Sequence, residues 1–194
     1  LWPGLLATAK KNISYQQNRL KIFEIGKQFI HKKESVKETE VVAGLATGLV
    51  LPEHWDVKMR DVDFFDVKAD IEALLNMGGR ASDVEFLAEK HPALASGQTA
   101  RIYIAKKSIG WLGVLHPQLQ RNFGIKQNII LFSLQTKNIF QKGYQAFQSY
   151  GKFPWVRRDL AVVVDENVAA SELVAETQKV GGKLLQNVVI FDVY

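Results

Sequence analysis

The apolar positions change period along the chain, and each change predicts an element. Pro3 suits the first turn of a helix, and Leu5, Leu6, Ala9 and Ile13 then share one face, which predicts an amphipathic helix over residues 3 to 13. Leu20 to Ile25 predicts a strand that continues through Phe29 and Ile30 beyond Gly26. His31 to Glu40 is charged and aperiodic, the pattern of a hairpin loop, and Val41 to Thr47 resumes as a small-residue strand. After the polar stretch Trp55 to Asp63, the residues Val67, Ile71, Leu74 and Leu75 recur at helical spacing until Gly78-Gly79 stops them. Arg101 to Ala105 and Ile109 to Leu115 flank Lys106-Lys107-Ser108, a polar connector of the kind that closes a β-hairpin, and Ile129 to Leu134 supplies another strand.

From Gln141 to Gly151 the pattern gives way to glutamine, glycine and serine among aromatics. The domain boundary is placed there, with one unit over residues 1 to 149 and a second over 150 to 194. The second unit reads as a strand (Leu160 to Val164), a helix (Ala169 to Val180, with Leu173, Val174, Thr177 and Val180 inward, ended by Gly181-Gly182) and a strand (Leu185 to Val193). A β-α-β unit this small buries too little surface for independent stability, and its two strands leave open edges. Because the chain stops at Tyr194 directly after a strand, the natural polypeptide is expected to continue and complete the sheet.

Composition narrows the function classes. With 47% hydrophobic and 23% charged residues the chain reads as globular. It has no cysteine, which excludes a disulfide framework, thiolate catalysis and thiolate zinc sites, and fits a reducing compartment, so cytoplasm is the expected location. No apolar run reaches the roughly 18 to 20 residues that span a bilayer. The start lacks the layout of a signal peptide, and the missing initiator Met suggests an excised piece. A net charge of +5 and a pI near 9.3 suit an acidic partner such as RNA. Residues 150 to 194 hold five Lys or Arg against six Asp or Glu, so the excess of positive charge belongs to residues 1 to 149.

Few residues are arranged for chemistry. His31, His54, His91 and His116 form neither an i, i+4 pair nor a local cluster, and two of them precede proline, which favours turn roles over zinc ligation. Gly110-Trp111-Leu112-Gly113 lacks the strand-to-helix context and third glycine of a dinucleotide fingerprint, and no Gly-Lys-Ser or Gly-Lys-Thr exists for a phosphate loop. No Gly-x-Ser-x-Gly elbow supports an esterase. Asp61, Asp63, Asp66 and Asp70 suggest either a cation or acid/base site, and hence a hydrolase, or carboxylates complementing a helix N-terminus; the second is the simpler explanation. Lys152, Phe153, Pro154, Trp155, Val156, Arg157, Arg158 and Asp159 interleave three cations with aromatics ahead of a strand. That composition suits phosphate contact and base stacking, and equally a solvated strand entrance with Phe153 and Trp155 filling the domain joint.

Several motifs, in order, carry a resemblance. Pro3-Gly4-Leu5-Leu6, Asn12 and Ile22-Phe23-Glu24-Ile25-Gly26 come first. Val62-Asp63-Phe64-Phe65-Asp66-Val67-Lys68 with Ala73-Leu74-Leu75 follows, then Ile109-Gly110-Trp111-Leu112-Gly113-Val114-Leu115-His116-Pro117. Phe153 to Leu160 and Phe191-Asp192-Val193-Tyr194 complete the series. With these the chain resembles the C-terminal part of the β subunit of bacterial phenylalanyl-tRNA synthetase.

The resemblance implies an α+β fold. Residues 1 to 149 would form a degenerate class II synthetase-like antiparallel sheet with flanking helices, and residues 150 to 194 the first, truncated β-α-β half of a ferredoxin-like anticodon-binding domain. It implies no catalytic residue here, since no arginine stands two residues before Glu24 and the arginine-ended third class II motif is absent. No metal or other cofactor is expected in this part; ATP and Mg belong to the whole enzyme and bind elsewhere, and the editing domain lies upstream. The implied partners are the catalytic α subunit, in a heterotetramer of two α and two β, and the tRNA for phenylalanine. Lys152, Arg157 and Arg158 match the family's basic positions, and Trp155 departs from the small residue usual there; all four are the expected tRNA-binding residues. The alternative is a free-standing RNA-binding module.

Overall fold

The computed structural model describes residues 1–32, 35–79, 84–139 and 154–193, and the chain divides into two compact units, Leu1–Ala146 and Phe147–Tyr194. The boundary expected at 149/150 lies outside the described residues.

The first unit opens with helix α1 (Trp2–Ser14), which buries the expected Leu5, Leu6 and Ala9. Strands β1 (Leu20–Lys32) and β2 (Ser35–Thr47) follow, then helix α2 (Phe64–Met77) and strands β3 (Val84–Ala88), β4 (Leu94–Ile104) and β5 (Lys107–Leu115). A short helix α3 (Pro117–Phe123) and strand β6 (Ile129–Gln135) complete it. The strands form one sheet in the order β1-β2-β6-β5-β4-β3, with every neighbour antiparallel.

Side chains alternate across a sheet, so each central strand feeds two cores. Val42, Ala46, Ile130 and Leu134 pack with Val67, Ile71 and Leu75 of α2 on one face. Ala43, Leu45, Ile129 and Leu131 pack with Leu5, Leu6 and Ala9 of α1 on the other. Burial on both faces explains why Val41 to Thr47 reads as a continuous run of small apolar residues.

Two expectations are corrected in this unit, and two elements are added to it. Of the loop expected over His31 to Glu40, residues 31–32 and 35–40 are strand: β1 pairs with β2 as far as Lys32 opposite Ser35, a ribbon held by backbone bonds and by the Lys27–Glu38 ion pair at 2.5 Å. Without a buried face it shows no apolar alternation. The β4–β5 connector is shorter than expected, with Ala105 and Lys106 at φ 47° and 62° forming a two-residue turn of the kind whose twist matches a hairpin. β3 and α3 were not anticipated.

In the second unit the expected helix is present as α4 (Ala170–Gly181), but the two flanking strands are not: among the described residues, 154–164 and 185–193 carry no strand pairing. Leu160, Val162 and Val163 are exposed at 82%, 66% and 102%, and α4 buries no residue. Leu173 and Val174 are half-buried, whereas Thr177 and Val180 of the expected inward face are exposed. A strand exists only through a partner, and the apolar pattern here has none to pair with.

Candidate nucleic-acid interface

Of the expected tRNA-binding residues, Lys152 lies outside the described residues. Trp155, Arg157 and Arg158 are all exposed and stand on irregular backbone well ahead of α4. Arg157 Nε donates to Asp159 Oδ1 at 3.0 Å, and its guanidinium lies 5.3 Å from the centroid of the Phe191 ring, joining the two ends of the second unit. An exposed ion pair is worth about 0–1 kcal/mol, so a phosphate oxygen can replace Asp159 at little cost. Two cations and an indole on one short exposed segment suit phosphate contact with stacking.

The acidic cluster resolves into helix capping. Asp63 caps α2, its carboxylate accepting from the backbone N–H of Phe65 and Asp66, while Asp66 accepts in return from the N–H of Asp63 at 2.9 Å. Arg60 grips Asp66 with two bonds of 2.6 and 2.7 Å and holds its carboxyl down at about 2, far too acidic for a general base at neutral pH. Asp70 pairs with Lys21 at 2.6 Å. Nothing in this cluster supports a hydrolase.

The histidines before proline serve as turn acceptors. His116 Nδ1 accepts from Gln118 N at 3.2 Å and starts α3, and His91 Nδ1 accepts from Ala93 N at 3.2 Å. His91 also sits between the rings of Trp2 and Trp111, where burial lowers its pKa. Among the described residues no group of three or more His, Asp or Glu is placed to hold a metal ion.

The glycines of the Gly110 to Gly113 segment serve packing. A Cβ on Gly110 would lie 2.0 Å from the carbonyl oxygen of Ser133, and one on Gly113 2.9 Å from that of Gln98, so both let neighbouring strands close up. Ile22, two residues before the exposed Glu24, is packed into the α1-side core. An aliphatic side chain offers a phosphate no hydrogen-bond donor.

Sequence reasoning passed over one set of cations, Lys10, Lys11, Arg121 and Lys126. Their signal was an absence: from Lys90 to Arg158 there is no acidic residue, nor is there any before Glu24.

This geometry defines a class: a six-stranded antiparallel sheet with a hydrophobic core on each face, and a small second unit. The fold is shared with pyrrolysyl-tRNA synthetase from Desulfitobacterium hafniense, at a TM-score of 0.53 and 14% identity over 71% of this chain and 46% of that one. The chain belongs to the family of the phenylalanyl tRNA synthetase beta chain CLM domain, whose model matches residues 1–136, and residues 151–194 match the ferredoxin-fold anticodon binding domain. It is 44% identical over 194 residues to the phenylalanine–tRNA ligase beta subunit of Methylococcus capsulatus and 41% identical over 197 residues to that of Dickeya dadantii. All of this chain is covered in both cases. It spans about a quarter of those relatives' length, 24% and 25%. Among the described residues no helix is long and apolar enough to cross a membrane.

Proposed function

We propose that the chain is a non-catalytic part of the β subunit of a phenylalanine–tRNA ligase, the C-terminal quarter of it, acting in the cytoplasm. In the whole enzyme, phenylalanine is joined to its tRNA with ATP, and ATP and Mg bind outside this chain. The first unit, a degenerate class II core, scaffolds the catalytic α subunit within an assembly of two α and two β. The second unit contributes Lys152, Trp155, Arg157 and Arg158 to the grip on tRNA once its sheet is complete. The observation that carries this reading is the match to curated β subunits over both units without a break. The packed glycines and the apolar Ile22 support the absence of adenylate chemistry.

The test is a salt titration of tRNA binding by the intact ligase. Replacing Arg157 and Arg158 together by Ala should weaken binding and flatten the dependence on salt by about 1 to 2 in log–log slope, since each lost phosphate contact removes roughly 0.7–0.9. An unchanged slope returns both arginines to a structural role. Adenylate formation by this chain alone, or an intact β subunit that does not associate with α, would overturn the scaffold reading.

A further inference from the structure

The acidic residues of the first unit are unevenly distributed along its sequence. All fourteen of its acidic residues fall between Glu24 and Glu89, and seven of them lie from Glu53 to Glu72, in the loop before α2 and in α2 itself. The other face is covered by α1 and α3, and neither helix, nor the loop that follows it, contains an Asp or Glu.

Four cations are carried by α1, α3 and the turn after α3. The Lys10 ammonium stands 4.0 Å from where a Cβ of Gly124 would be, which places it at the turn between Arg121 and Lys126, and Lys11 is its neighbour on α1. All four are exposed, and among the described residues none of them makes an ion pair. Arg19 is excluded from the group because it donates to the carbonyls of Leu49 and Val50. The two loops are tied together by Gln127 Nε2, which donates to Asn18 Oδ1 at 3.2 Å, so the cations are carried on one framework. Beside them lie the exposed Asn122 and Gln16 and the 69% exposed ring of Tyr15.

We propose that this α1/α3 face is a second docking surface, for the phosphate backbone of RNA. Lysine and arginine that make no ion pair among the described residues supply the phosphate attraction, amide side chains supply sugar and base-edge contacts, and an exposed tyrosine supplies a stacking ring. An acidic protein segment would meet the same charge but gives no use to the open amides and ring. The inference concerns the first unit and stands independently of the arginines of the second.

The experiment compares the intact ligase with its K10E/K11E/R121E/K126E variant in tRNA binding across a salt series. The expected result is affinity about 10- to 100-fold weaker near 0.1 M salt and a slope smaller by about 3, four contacts at roughly 0.7–0.9 each. A control, K27E/K37E/K58E, reverses exposed lysines elsewhere on the unit and should change affinity by less than about 3-fold. Because Lys10 adjoins the C-terminal turn of α3, a K10Q/K126Q pair with an unaltered melting curve separates lost contact from lost folding; it should lower the slope by about 1.5. Unchanged affinity and slope in the folded variants overturns the proposal. So does a variant that keeps RNA affinity while its assembly falls apart, which would make the face a protein interface. Loss on this face with none in the arginine variant would uphold the inference while removing the role of Arg157 and Arg158.

Discussion

The two units carry similar apolar patterns and come to opposite outcomes. In the first, Ile129 to Leu134 lies between β2 and β5 and is buried along most of its length. In the second, Leu160 to Val164 is comparably apolar, yet among the described residues it pairs with nothing and its valines stand in solvent. Strand propensity is the fit of a side chain to a pleated, half-buried surface, so the same residues are strand in one setting and irregular chain in another. Among the described residues, 160–164 have no strand partner and no packed face, in keeping with the small size of the unit.

Truncating core side chains gives the widest contrast. Leu112→Ala, at a fully buried position of β5, should cost about 2–5 kcal/mol, whereas Val163→Ala should cost less than about 0.5 kcal/mol; urea denaturation of the chain reads both. Similar losses at the two sites would mean the second unit has a core after all. Gly110→Ala should cost about 1–3 kcal/mol in the same measurement, because its Cβ meets backbone of β6 and the strands must separate, while Gly182→Ala has open space and pays only for its positive φ.

A further, small effect is electrostatic. Asp66 has a folded-state pKa of about 2, below the ordinary carboxylate value, so its contribution is present above about pH 4 and fades as pH falls through 2. Solvent screening at the half-exposed Arg60 leaves it on the order of 1 kcal/mol. Acid titration of stability should show this step in the native chain and lose it in Asp66→Asn; an identical acid limb in both would remove the Arg60–Asp66 bond from the account.

Much of the fold was legible because its helices are amphipathic over several turns. α2 announces itself by Val67, Ile71 and Leu75, with Asp63 before it and Gly78 after it. α3 was missed because seven residues are too few to show a period, although His116-Pro117 and Gly124 mark both its ends. β3 escaped as a five-residue edge strand whose Glu85 and Leu87 are exposed. At the candidate interface, the clustered Arg157 and Arg158 could be read from composition. The face built by Lys10 and Arg121 could not, because only the packing of α1 on α3 brings such distant residues together.

We infer that the apolar segments 160–164 and 185–193, which match the ferredoxin-fold anticodon binding domain, become strands in the intact β subunit. Native-state hydrogen exchange tests it most directly, comparing this chain with the intact β subunit. Exchange should be slow across residues 94–115 in both, and fast at residues 160–164 and 185–193 in this chain but slow in the intact subunit. Protection of those two segments in this chain alone, equal to that of β4 and β5, would contradict it.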